Sequence, residues 1–202
     1  MTTVMTPSTI TSGQIGKAQE LLEARLRKSG FPSAAVQQVL EMQGDVLAAE
    51  WLAAIQKRVD AISDMIVRCV RVNRSRSPQE ALAATGRKQY VTDAVVADMP
   101  RGDGDEAEIF FFKVGRWISD DDLEKEYSSR GLVPADPFSL AAVNEVDATF
   151  ADDHPNGTHW KDADGKWCFA TFYRWSDDER SVSVGRGVSG WLGSWWFAGR
   201  RK

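Results

Sequence analysis

Apolar residues recur every three or four positions through the first quarter of the chain: Ile15, Ala18, Leu21, Leu22 and Leu26, then Val36, Val39 and Leu40, then Val46, Leu47, Trp51, Leu52 and Ile55. That spacing stacks them on one face of a 3.6-residue helix. It predicts three short helices, broken at Ser29–Pro32 and again at Gly44. From Met65 to Val72 the pattern changes to a crowded run rich in β-branched residues, which predicts a buried strand. The chain therefore divides into a tail at 1–12, a helical module at 13–62 and a second domain at 65–202.

Within that second domain the start signals of helices are explicit. Ser77, Pro78 and Glu80 form a capping box with proline at the first helical position. Ser119 precedes Asp120, Asp121 and Asp122, three acids where the helix dipole favours negative charge, and this capping role accounts for the run better than a metal site does. Asp136 and Pro137 open a further helix to about Val146. A strand is expected from Ala107 to Gly115, and four more at 158–161, 166–175, 180–186 and 194–199. Loops at Asp162–Gly165 and Ser176–Glu179 would join the first three of these as hairpins. The expected fold class is α+β: an N-terminal three-helix bundle, then an α+β domain ending in an antiparallel β-meander.

Two resemblances sharpen this division. The segments Leu26–Pro32, Val36–Leu40, Gly44–Val46 and Ala49–Leu52 resemble the ubiquitin-associated (UBA-like) three-helix family. That resemblance implies a partner-binding hydrophobic patch near Gly30, Phe31, Trp51 and Leu52; filling of a small core is the other reading of these large side chains. From Met65 onward the segments Asn73–Leu82, Thr85–Arg87, Met99–Gly102, Ile118–Glu126, Ser139–Glu145, His154–Asp162 and Trp195–Gly199 resemble an uncharacterised family of bacterial and mobile-element proteins, which implies no activity.

Composition adds bounds. With 43% hydrophobic and 27% charged residues, the chain has ordinary globular usage. The N-terminus lacks the basic start and apolar stretch of a secretion signal, and no apolar run approaches the ~20 residues that span a bilayer. With two cysteines, each in an apolar strand-like run, the expectation is reduced thiols, a cytoplasmic location and no membrane partner. Charge is segregated: 12 acidic against 3 basic residues at 119–165, then 7 basic against 3 acidic at 166–202.

Candidate chemistry concentrates at the C-terminal end, where six of eight tryptophans lie between Trp160 and Trp196. Trp191, Trp195 and Trp196 are candidate partner-binding residues, with Phe31, Trp51 and Leu52, because tryptophan is enriched in interface anchors. Both histidines, His154 and His159, accompany Asp153 in one stretch. They could serve a metal-assisted hydrolase or nuclease, but their five-residue spacing matches no metal motif, and turn-forming and hydrogen-bonding roles explain them better. Arg71, Arg74, Arg76 and Arg87 form the densest basic group, a candidate nucleic-acid edge. No phosphate-binding glycine loop or nucleophile elbow is present, and the residues specify no cofactor. The function expected is non-catalytic binding of a partner, most simply a protein, through an aromatic C-terminal surface.

Overall fold

A computed structural model describes residues 10–63, 65–175, 178–187 and 190–202. The expected tail up to residue 9, and Ser176 and Asp177 of the expected second hairpin loop, lie outside these residues. The chain separates into two units, Met1–Ile55 and Gln56–Lys202.

The first unit departs from the expected bundle. Helix α1 (Ser12–Lys28) begins with a capping box between Thr11 and Gln14, and helix α2 (Ser33–Ser63) then runs 31 residues without a break. Gly44 does not interrupt it. A glycine in a helix interior costs only about 1 kcal/mol relative to alanine and, unlike proline, neither clashes with nor removes a backbone hydrogen bond. The good helix formers around it carry the helix through. There are thus two helices rather than three, and none of the described residues 10–55 is buried. Phe31, Trp51 and Leu52 fill no core there; they are exposed.

The second unit is α+β, built on a mixed eight-stranded sheet. Its elements in order are β1 (Ile66–Arg71), α3 (Pro78–Ala83), β2 (Lys88–Val91), α4 (Asp93–Ala97), β3 (Glu106–Lys113), α5 (Asp120–Ser129), β4 (Leu132–Pro134), α6 (Pro137–Val146), α7 (Phe150–Asp153), β5 (Asn156–Lys161), β6 (Trp167–Arg174), β7 (Arg180–Arg186) and β8 (Trp196–Arg201). The strand order is β1-β3-β8-β5-β6-β7-β2, with β4 also pairing to β8.

Strands β5, β6 and β7 are antiparallel neighbours, but β8 does not extend them as a meander. It returns to the far side of β5, pairing parallel with β5 and antiparallel with β3 and β4, while β2 takes the free edge of β7 in parallel. Phe197 and Ala198 explain the choice: they point to opposite faces and both are buried, so β8 needs a position covered on both sides.

The two faces carry separate cores. On one, α3, α4, α6 and α7 bring Leu82, Val96, Phe138, Leu140 and Phe150 onto Phe111, Ala170, Phe172 and Val182. On the other, Leu123 and Tyr127 of α5 cover Phe110, Phe112 and Phe197, with Trp191 completing the cluster.

Candidate functional site

The second face bears a groove of about 540 Å³ over β6 and β7. Alternation along β6 sends Cys168, Ala170 and Phe172 into the first core and leaves Phe169, Thr171 and Tyr173 on the groove side. The β7 register sets Gly185 opposite Phe169 and Ser183 opposite Thr171, so small residues face large ones and give the groove depth. Trp191 is held in place from its backbone, where Ile118 and Trp191 exchange two hydrogen bonds of 3.0 and 2.8 Å. Its ring lies over Gly157, where a Cβ would come within 2.8 Å of Cζ3.

The rings form a continuous edge-to-face series. Centroids are 6.2 Å apart for Phe169 and Trp191, 6.0 Å for Trp191 and Trp195, 5.9 Å for Tyr173 and Trp195, and 5.1 Å for Tyr173 and Trp175. Interplanar angles run from 80° to 88°. Such pairs favour this geometry because the positive ring edge meets the negative ring face. Trp191 is buried, Trp195 half-buried and Trp175 51% exposed, so the series rises from a fixed floor to an open wall.

Trp196 does not join them. Adjacent strand residues point to opposite faces, and Trp196 packs on the first core with an edge-to-face contact to His154. Of the three candidate tryptophans, two line the groove and the third is structural. Phe31, Trp51 and Leu52 belong to chain segments in the other unit.

Beside the groove floor lies an ionic cluster. Asp120 and Glu124, four residues apart on α5, share one helix face and meet both nitrogens of the buried His159 imidazole. Nδ1 is 2.7 Å from Asp120 Oδ1; Nε2 is 3.0 Å from Glu124 Oε1 but poorly aligned for a hydrogen bond. Asp120 Oδ1 also accepts the Trp191 indole N–H at 2.8 Å, and Trp167 stacks on the imidazole at 4.4 Å. Burial pulls the His159 pKa down, but the hydrogen bond to Asp120 and the proximity of Glu124 outweigh it and leave the value raised. For Asp120, burial acts upward, yet the contacts with His159 and Trp191 hold its carboxyl below the ordinary value.

The other histidine sits elsewhere. His154 stacks on Phe150 at 5.0 Å on the first-core side, so the two imidazoles lie on opposite faces of the sheet, and Asp153 is exposed. Among the described residues no group of three or more His, Cys, Asp or Glu side chains could hold a metal ion. The hydrolase reading therefore loses the convergence it required.

The arginines are largely committed within the fold. Arg74 pairs with Asp136 at 2.8 Å, bonds Ser139, and donates to the carbonyls of Arg101 and Gly104. Arg76 pairs with Glu145 at 2.6 Å. Arg87 is buried and donates to the carbonyls of Tyr173 and Ala148. Arg71 alone stays exposed, 3.8 Å from Glu106. These side chains tie loops to helices and form no joint basic edge.

The sequence reading missed Asp120, which capping already explained, Glu124, to which it gave no role, and Phe169, Tyr173 and Trp175, which read as ordinary strand residues. The four-residue spacing of Asp120 and Glu124 was a visible signal of a shared face; the partner on β5 was not. No helix among the described residues is long and apolar enough to cross a membrane. No family model, curated protein or solved structure matches the chain.

Proposed function

We propose that this chain is a non-catalytic binding protein that takes an apolar segment of a protein partner into the aromatic groove. The observation that carries this reading is the unbroken series from Phe169 through Trp191, Trp195 and Tyr173 to Trp175, which lines a groove of about 540 Å³. Pockets of that size with mainly aromatic walls and few polar groups suit apolar ligands, and tryptophan and tyrosine dominate binding hot spots. A nucleic-acid strand fits less well. Among the described residues the lining holds one cation, Arg174, already engaged by Asp178 at 2.6 Å and Asp152 at 3.7 Å, so phosphates would find little to meet there. Work in the cytoplasm is part of the proposal, since both cysteines are free thiols.

The test is selection of peptides from a displayed random library on the full-length protein, followed by calorimetry. Trp195→Ala and Tyr173→Ala should each weaken a selected peptide by about thirtyfold, as loss of a ~2 kcal/mol anchor requires, while Phe31→Ala changes nothing. Selected peptides that bind both groove variants as tightly as the parent would refute the reading.

A further inference from the structure

The aromatic groove is not apolar throughout. Asp120 belongs to its lining, the one acidic residue there among the described residues. The two oxygens of this carboxylate are used unequally. Oδ1 meets the His159 imidazole at 2.7 Å and accepts the Trp191 indole N–H at 2.8 Å. Oδ2 has no hydrogen-bond or ion-pair partner among the described residues. Gly187, also in the lining, borders it: a Cβ there would come within 3.4 Å of Asp120 Oδ2 and 3.9 Å of Phe169 Cδ1. The unused oxygen therefore sits at the Phe169–Trp191 end of the ring series, beside a residue without a side chain.

The charge there is not cancelled by its surroundings. Although burial opposes it, the bonds from His159 and Trp191 keep this carboxyl ionised at neutral pH. With His159 protonated, Asp120 and Glu124 together still leave the cluster net negative. Arg174 is held by Asp178 and Asp152 and offers no compensation. A partly buried carboxylate oxygen that no donor satisfies lacks the contact that offsets its lost hydration, so it favours a cationic donor.

One available oxygen also selects among cations. A guanidinium pairs best with both oxygens of a carboxylate, and Oδ1 already serves two donors. An ammonium is a compact point charge that needs one acceptor and can leave its remaining protons on water. The Asp120 side chain keeps 12% of its surface exposed, so that water is not excluded. Lysine also has the stem to reach this oxygen, since its methylenes can lie along apolar rings while the head alone is charged, and ring faces attract a cation.

We propose that the apolar segment bound in the groove carries one lysine, whose ammonium group donates to Asp120 Oδ2. The proposal rests on the groove being a peptide site and adds the source of its specificity: the rings hold apolar surface, and the carboxylate selects the charge.

The experiment takes the tightest peptide selected on the full-length protein and remakes it with norleucine or trimethyl-lysine in place of its lysine, each measured by calorimetry. Norleucine keeps the stem and removes the charge; trimethyl-lysine keeps the charge and removes every N–H. Each should weaken binding about tenfold or more, the range for a hydrogen bond to a charged group. On Asp120→Asn the lysine and norleucine peptides should bind within about twofold of each other, because the coupling between ammonium and carboxylate is gone. The peptide series on the parent protein decides the matter even if that variant does not fold. Selected peptides that need Trp195 but contain no lysine, or that bind equally with norleucine, overturn this proposal and leave the groove reading standing. Equal binding of the lysine and trimethyl-lysine peptides would put the cation on the ring faces and overturn the bond to Oδ2. Peptides indifferent to Trp195→Ala refute the groove reading itself.

Discussion

Trp191 donates its indole N–H to Asp120 Oδ1 at 2.8 Å, the same oxygen that meets the His159 imidazole at 2.7 Å. One carboxylate at the start of α5 therefore fixes both the floor of the aromatic groove and the histidine beside it. Replacing Asp120 by alanine leaves a buried imidazole and a buried indole without their shared acceptor. The full penalty for breaking a buried pair is about 3–5 kcal/mol, and the 12% exposure of Asp120 trims it, so a loss on the order of 2–4 kcal/mol is expected in urea denaturation. A variant as stable as the parent would show that the carboxylate does not organise the floor.

The same pair sets a pH dependence. The folded His159 pKa is raised above the ordinary 6.5, so its contribution is complete below that value and is lost as pH rises through the folded pKa. The folded Asp120 pKa is depressed below 3.8, so its contribution is present above that value and fades as pH falls through the folded one. Stability from the pair should therefore be greatest between about pH 4 and pH 6.5 and decline on the alkaline side. Denaturation midpoints across pH 5 to 9 should show this slope in the parent and a flatter profile in His159→Gln; identical slopes would remove His159 as its source.

Gly157 permits the close approach of Trp191, and its Cβ would also come within 3.0 Å of Thr171 Cγ2. Both neighbours are buried, so Gly157→Ala should force the indole outward at a cost of about 1–3 kcal/mol, the usual range for overpacking. Tryptophan emission should shift to the red, and groove ligands should bind more weakly. Unchanged emission and stability would mean the floor can yield.

Trp195 and Trp196 should separate in their effects. Trp196→Ala removes a side chain packed on the first core and against His154, and about 2–4 kcal/mol of stability should go with it, a little under the range for a fully buried tryptophan. Trp195→Ala opens the groove wall and should cost less, while weakening peptide binding about thirtyfold, as loss of a ~2 kcal/mol anchor requires. Equal losses of stability would make Trp195 a core residue.

Both core clusters consist of residues from Met65 onward. The fragment Gln56–Lys202 should accordingly melt as one cooperative transition, followed by near-ultraviolet circular dichroism. A broad, molten transition would show that the helical segment is needed for packing.

Much of the local structure was legible because its causes are local. Ser77 and Glu80 form the expected capping box, Ser119 and Asp136 cap their helices, and the strand-like run after Met65 becomes β1, since each depends on residues within a few positions. The break at Gly44 failed for a related reason: one glycine is a weak local signal beside the helix formers around it. The short strands β2 and β4 escaped notice because each exists only through its partner, β7 or β8. Tertiary structure alone decided the sites. Strand alternation already required Trp195 and Trp196 to face apart, but which of them met the groove depended on β8 entering beside β5 rather than beyond β7. Asp120 and His159 lie 39 positions apart, and no periodicity along the chain encodes a contact that arises only when a helix is laid across a sheet.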